Sequence, residues 1–310
     1  MARRGICRCQ KNGVSLQRLK LEWWNGRHEG LKIPWPYRLC GFESRFEHNF
    51  HPMTNKTVKD YKVVDATKLA DGRYACLVME AVDGTLPSDI LPGQFAQVAV
   101  EVPGVMLRRP ISINYVDYTK RQVRLLVRDA GRATHRLVNA RSGDTFNMLM
   151  PLGNGFTLSH AGERVLLVGG GVGVAPLLCL GAALVANGAK PEFLLGARTA
   201  ADQLQLPEFE ALGKVYISTD DGSMGAPGTV VDNPVIANEN FDRIYCCGPM
   251  PMMKAVASVA RLRGIDCEVS LENTMACGLG ACLCCVEKTV KGNVCVCTEG
   301  PVFNINQLTW

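Results

Sequence analysis

Six of the fourteen cysteines of this 310-residue chain fall between Cys277 and Cys297. Cys277, Cys282 and Cys285 are spaced C-x4-C-x2-C, and Cys297 follows after eleven intervening residues. Thiolates bind soft metals, and this spacing with a distant fourth cysteine is that of plant-type 2Fe–2S loops, where four thiolates hold two irons. Structural zinc favours paired C-x2-C knuckles, which makes iron–sulfur the stronger of the two readings. Gly278 and Gly280 let the backbone wrap a cluster and aim N–H groups at sulfur. Cys284 and Cys295 are spare thiols. Cys295 is a fallback fourth ligand.

A second kind of chemistry is suggested by VLLVGGGVGVAP, residues 165–176, where Gly169, Gly171 and Gly173 stand at the turn from an apolar strand into a helix. Glycine lets a phosphate approach backbone N–H groups, and a helix N-terminus favours its charge. Strand-against-helix packing asks for glycine as well, so one such turn is weak evidence. A second turn, Cys247-Gly248-Pro249, follows another apolar strand, and ligands of open α/β sheets bind beyond the carboxyl ends of the strands. Cys246 and Cys247 read as buried small hydrophobes rather than metal ligands. Further upstream, Arg108-Arg109-Pro110-Ile111-Ser112 sets a guanidinium and a hydroxyl three apart on an extended segment. Arginine suits phosphate recognition, although a surface pair is ordinarily just solvated. Alternation puts Arg109 and Ile111 on one face and leaves Ser112 dependent on backbone curvature.

These groups need elements to hold them. From Tyr61 to about Met150 short β runs alternate with turn signals: 74–81, 95–102, 111–115, 123–127 and 145–149, with one helix over 134–140. That spacing predicts an antiparallel barrel or sandwich. From Arg164 apolar strands alternate with helices, among them one from Thr199 and one over 252–263, which predicts a parallel sheet covered on both faces. Val165 to Ala186 has no charge over 22 residues, yet its glycines and Pro176 fit a strand-turn-helix unit better than a membrane span.

Charge narrows the partners. Residues 1–52 hold ten Lys/Arg against four Asp/Glu, so of the chain's net +5 the remaining 258 residues carry −1. A nearly neutral body disfavours nucleic-acid binding. Residues 1–52 also lack sustained periodicity, and regular alternation begins at Met53, so they are expected to be a disordered leader or an upstream extension with Met53 as the natural start. Clustered cysteines and no signal peptide point to a reducing compartment, the cytoplasm.

Taken in order, these segments resemble the ferredoxin-reductase superfamily and, within it, the electron-transfer subunits of NAD-linked, class B dihydroorotate dehydrogenases. The resemblance runs from about Asp60 to Asn304 and is most specific in LENTMAC, 271–277, through CTEGPVF, 297–303. There the last ligand directly precedes an acidic-Gly-Pro-Val-Phe segment, which selects Cys297 over Cys295. The resemblance further implies that Arg109, Pro110, Ile111 and Ser112 meet FAD, that Leu126, Val127 and Arg128 form its next contacting strand, and that Ala133-Thr134 stands where the family has a Gly-Thr pair at the FAD pyrophosphate. Residues 151–156, PLGNGF, would join the flavin and nucleotide domains. The domain plan is then a leader at 1–52, an FAD-binding barrel at 53–158, an NAD-binding Rossmann-like domain at 159–265 and a 2Fe–2S subdomain at 266–310. The expected activity passes electrons from a partner's FMN through the cluster and FAD to NAD+, in a heterotetramer of two copies of each subunit. Dihydroorotate oxidation falls to the partner, since no acid/base or nucleophile constellation stands out here. The competing expectations are a reductase subunit of a hydrogenase or transhydrogenase-like complex, and a non-enzymatic iron–sulfur sensor without flavin absorbance.

Overall fold

The structure, a computed structural model, describes residues 56–310; the expected leader and the start at Met53 lie outside them. Six antiparallel strands come first: β1 (Thr57–Leu69), β2 (Tyr74–Ala81), β3 (Phe95–Val98), β4 (Arg109–Asp117), β5 (Gln122–Arg128) and, after helix α1 (Arg132–Val138), β6 (Thr145–Leu152). They close into a barrel in the order β1-β2-β5-β4-β3-β6, which leaves no free edge. Alternate residues fill it: Tyr61, Val63, Leu77, Met79, Ala96, Val98, Val123, Leu125, Val127 and Met148 are buried in one cluster. Bulges at Val63/Asp65 and Ile113/Tyr115 bend the long strands toward closure. β3 stops at Val98, short of the expected 102: Ala99 N–H still reaches Asn147 O, and the chain then turns on itself with Val102 N–H donating to Val100 O.

The second half opens with β7 (Arg164–Gly170), a 3₁₀ turn (Gly171–Val174) and α2 (Ala175–Ala186). This is the charge-free stretch, and among the described residues no helix is long and apolar enough to cross a membrane. There follow β8 (Lys190–Ala197), α3 (Leu206–Glu210), β9 (Lys214–Thr219), β10 (Ala226–Pro227), α4 (Pro234–Asn238), β11 (Arg243–Cys247), α5 (Met250–Arg263) and β12 (Asp266–Ser270). The expected helix from Thr199 is instead a 3₁₀ turn at Ala200–Asp202 and the short α3, separated by Gln205 at φ 54°. Then come the hairpin β13 (Val286–Thr289) and β14 (Gly292–Cys295), α6 (Val296–Glu299) and β15 (Val302–Asn304).

The sheet order is β10-β9-β8-β7-β11-β12-β15, parallel except that β15 runs antiparallel to β12. β12 and β15 therefore complete the nucleotide-domain sheet, although both lie beyond the boundary expected after residue 265. Residues of β7 and β11 are buried on both faces: Leu166, Val168 and Ile244 meet Met253 and Val256 of α5, and Val165, Leu167 and Tyr245 meet Leu177 and Leu180 of α2. Continuous apolar strands of this kind are what a covered parallel sheet requires.

Barrel and sheet are joined by buried polar contacts. Asn114 of β4 and Gln205 exchange two amide hydrogen bonds of 2.9 and 3.1 Å, and Asn114 Nδ2 also donates to Ala175 O at 3.0 Å. Beyond β6, Asn154 donates to the Thr298 and Glu299 carbonyls and its backbone N–H to Gly300 O, which ties the barrel to the cysteine-bearing segment.

Candidate functional site

The cysteine loop is shaped by backbone that only glycine adopts easily. Gly278 and Gly280 have φ of 71° and 81°, and with that turn Leu279 N–H donates to Cys277 Sγ at 3.3 Å while Gly280 N–H donates to Cys297 Sγ at 3.1 Å. Cys297 N–H points at Cys285 Sγ, 3.4 Å away. The Leu279 N–H, ahead of other donors, brings the Cys277 thiol down to about 6, whereas burial foremost pushes Cys297 up to about 12.

Among the described residues no three Cys, His, Asp or Glu side chains surround a point fit for a single metal ion. The four thiols are instead gathered by backbone donors, with Leu279 N–H on Cys277, Gly280 N–H on Cys297 and Cys297 N–H on Cys285, as sulfurs of a cluster require. Two thiolates per iron is the demand of a 2Fe–2S cluster, and a mononuclear zinc site needs three or four on one ion. The donor set therefore fits the cluster. Cys295 lies beside them, with its Sγ 3.9 Å from Gly280 O.

Two cavities adjoin this loop. One, of about 370 Å³, is walled by Phe95, Pro110, Ile111, Ser112, Leu126, Arg128 and Thr134 of the barrel, by Val172 and Ala175 at the start of α2, and by residues 270–275 leading to Cys277. The other, of about 540 Å³, lies beyond the carboxyl ends of β7, β8, β9 and β11 and includes Gly171, Gly173, Arg198, Asp220, Thr229, Gly248 and Pro249. Arg128, Val172 and Glu272 line both, so the two spaces meet. Glu272 stands open to them with protein on its other sides, and that desolvation holds its carboxyl above the usual range against the opposing pull of Arg128.

The expected residues do not all reach these walls. Pro110 and Ser112 share the cavity face because they pair with Gln97 and Phe95, and Ile111 packs partly into the barrel cluster. Arg109 lines neither cavity; its guanidinium donates to the Leu107 and Arg108 carbonyls. Leu126 and Arg128 face the cavity, and the two-residue period therefore turns Val127 into the barrel core. Ala133 is buried there too, and the Thr134 hydroxyl accepts from Ala130 N–H and donates to Gly131 O. In the sheet, Gly169 is a packing glycine: a Cβ on it would stand 2.8 Å from Val174 Cγ1. Gly173 touches both tasks, lining the cavity while a Cβ would come within 2.5 Å of Cys247 O and Gly248 Cα. The Cys247 thiol is fully buried, with burial pushing it well up, and lines neither cavity. Arg73, Arg198, Asp220, Thr229 and Glu272 were not anticipated; Arg198 and Asp220 directly follow β8 and β9, the strand-end position that marks ligand sites in open sheets.

A closed antiparallel barrel, a parallel sheet with its own ligand cleft and a cavity shared between them define a reductase of the ferredoxin-reductase type. Residues 272–309 match the family described as the iron-sulfur cluster binding domain of dihydroorotate dehydrogenase B. The chain is 46% identical over 254 residues to the dihydroorotate dehydrogenase B (NAD(+)), electron transfer subunit, of Shouchella clausii, covering 79% of this chain and 96% of that one. It is 40% identical over 223 residues to the subunit of the same name from Bacillus caldolyticus, covering 70% and 86%. A solved structure of an NADH-dependent reduced ferredoxin-NADP oxidoreductase superposes with a TM-score of 0.73 at 30% identity, over 80% of this chain and 89% of that chain. The chain belongs to the family of electron transfer subunits of dihydroorotate dehydrogenase B.

Proposed function

We propose that this chain carries electrons from a dihydroorotate-oxidising partner through a 2Fe–2S cluster on Cys277, Cys282, Cys285 and Cys297, and through FAD, to NAD+. One observation carries the arrangement: a single cavity is walled by the barrel, the start of α2 and the segment leading to Cys277, and it shares Arg128, Val172 and Glu272 with the cleft beyond the carboxyl ends of the strands. Bound between the two, a flavin would supply the chemistry that joins one-electron iron–sulfur transfer to two-electron hydride transfer with nicotinamide. Phe95, Leu126 and Val172 offer apolar surface for the flavin ring, and Ser112 and Thr134 flank it with hydroxyls. Gly171, Gly173, Gly248 and Pro249 shape the NAD+ cleft. The buried Asn114–Gln205 pair fixes one wall against the other, which holds the reacting rings in register.

The partner contains FMN and oxidises dihydroorotate, and the assembly is a heterotetramer with two copies of each subunit. Leu279 and Leu283, 50% and 65% exposed on the cysteine loop, form the surface it covers. Every cysteine among the described residues is free, which suits a cytoplasmic protein. An anaerobic spectrum of the copurified complex tests the whole sequence: dihydroorotate should bleach flavin and cluster bands, and NAD+ should restore them. A complex without flavin bands, or one that NAD+ fails to reoxidise, refutes it.

A further inference from the structure

The side chain of Gln97 is fully buried, and neither its amide nitrogen nor its carbonyl oxygen has a hydrogen-bond partner. Buried carboxamides are almost always satisfied, so an orphaned one asks what it serves. On β3, Ala96 and Val98 point into the barrel core, which leaves Phe95 and Gln97 on the opposite face. Phe95 lines the cavity assigned to FAD. Gln97, one pleat further, lies beneath the cysteine loop: a Cβ on Gly278 would stand 2.9 Å from Gln97 Cγ and 3.2 Å from its Nε2. Leu152 closes the other side, 3.1 Å from the same point. Gly278 follows Cys277 directly, so the unpartnered amide lies against the backbone of the loop next to its first cysteine, without bonding that thiol.

We propose that Gln97 donates a hydrogen bond to a sulfur of the 2Fe–2S cluster when the cysteine loop holds it, and thereby raises the cluster's reduction potential. The inference rests on the cluster assignment made above. Cluster sulfurs accept and do not donate, so the carboxamide turns its N–H end toward them; rotation about its last bond exchanges the two ends at no cost in volume. Reduction adds negative charge to the sulfurs, and a fixed donor stabilises the reduced form more than the oxidised one. The donor comes from the barrel that holds the flavin rather than from the cysteine loop. Gln97 is thus a positioning and tuning residue through which the flavin domain sets the driving force of the step that feeds it.

The test is a redox titration of the cluster, followed by paramagnetic resonance, in the whole complex. Gln97→Met keeps the volume and removes the N–H; it should shift the reduced-to-oxidised ratio at a fixed potential about tenfold toward oxidised, a fall of about 59 mV for one electron. In deuterated water the wild-type cluster should show an exchangeable deuteron coupling that Gln97→Met lacks. Should that variant fail to assemble, ¹⁵N labelling of glutamine side chains in the wild type decides the same question: a nitrogen coupling supports the proposal and its absence overturns it. An unchanged midpoint with an unchanged deuteron set overturns it, as does lower cluster content with an unmoved midpoint, which is the signature of packing alone. A wild-type complex with no 2Fe–2S signal overturns the cluster assignment and this donor together.

Discussion

Replacing Asn114 by Leu removes three hydrogen bonds at the seam between barrel and sheet: Nδ2 to Ala175 O at 3.0 Å, Nδ2 to Gln205 Oε1 at 2.9 Å, and Gln205 Nε2 to Asn114 Oδ1 at 3.1 Å. At about 1 kcal/mol net for each bond the direct loss is about 3 kcal/mol, and the stranded Gln205 carboxamide, only 6% exposed, adds to it. For a domain of this size each kcal/mol moves the melting temperature by about 2–4 °C, so Tm should fall by about 6–12 °C. Asn114→Leu combined with Gln205→Leu strands fewer polar atoms, and the double variant should recover about 2 kcal/mol relative to the sum of the singles. The functional readout is stopped-flow reduction of bound flavin by NADH, expected to slow about tenfold because a shift well under 1 Å between reacting rings already costs that much. Calorimetry of the holoprotein measures the first effect, and the cluster's resonance spectrum should stay constant throughout. Additive single and double variants, or a Tm within about 2 °C of wild type, would refute the view that this amide pair clamps the two halves.

Cys297→Ser should abolish or strongly alter the 2Fe–2S resonance signal and Cys295→Ser should leave it nearly intact; the reverse outcome would show that the fourth thiol was wrongly chosen. Thr134→Val loses the bonds to Ala130 N–H and Gly131 O that shape the turn into α1, and should weaken FAD binding about tenfold, read by equilibrium dialysis of flavin. Because the protein packed around the two cavities desolvates the Glu272 carboxyl and holds it above the usual range, its negative form appears only as pH rises through that raised value. NAD+, whose nicotinamide ring is cationic, should therefore bind more tightly as pH rises there, and Glu272→Gln should flatten the profile of Kd against pH; an identical profile in the variant rejects the role. Leu279→Asp should weaken association with the catalytic partner on gel filtration and slow dihydroorotate-to-NAD+ transfer, while NADH oxidation by an artificial acceptor, which draws on FAD directly, is spared. Equal loss of both activities in an intact complex would move the docking surface elsewhere.

The parts of the site that are legible in the sequence are those written in local spacing. C-x4-C-x2-C announces its own geometry, and the two strand-to-helix turns stand out because glycine and proline punctuate apolar runs. Arg109 shows that a motif specifies residue type and not side-chain direction: one guanidinium nitrogen donates to the Leu107 and Arg108 carbonyls of its own segment. Val127 falls among flavin-facing neighbours in the motif, whereas the two-residue period of a strand sends Leu126 and Arg128 to one face and Val127 to the other. β1 carries a plain alternation, yet its length and bulge emerge only on pairing with β2 and β6. Gln97 leaves no signal, since GQFAQVAV reads as an ordinary buried strand and its meaning comes from Gly278, far along the chain. Glu272 is equally silent, because its shifted carboxyl depends on walls assembled from barrel, sheet and loop.

The pairing of β15 with β12 decides what closes the cysteine segment. Residues 271–301 leave the sheet at Ser270 and return to it at Val302, whose backbone pairs with that same serine. Leu271 N–H then donates to Pro301 O at 2.8 Å, so the segment is cinched at its base. Closing a loop of this length is an entropic cost that the sheet, and not the metal, meets. The closure of the cysteine segment is thus written into the backbone pairing of the sheet, and the part of it that walls the flavin cavity, residues 271–275 and Pro301, is anchored beside that pairing.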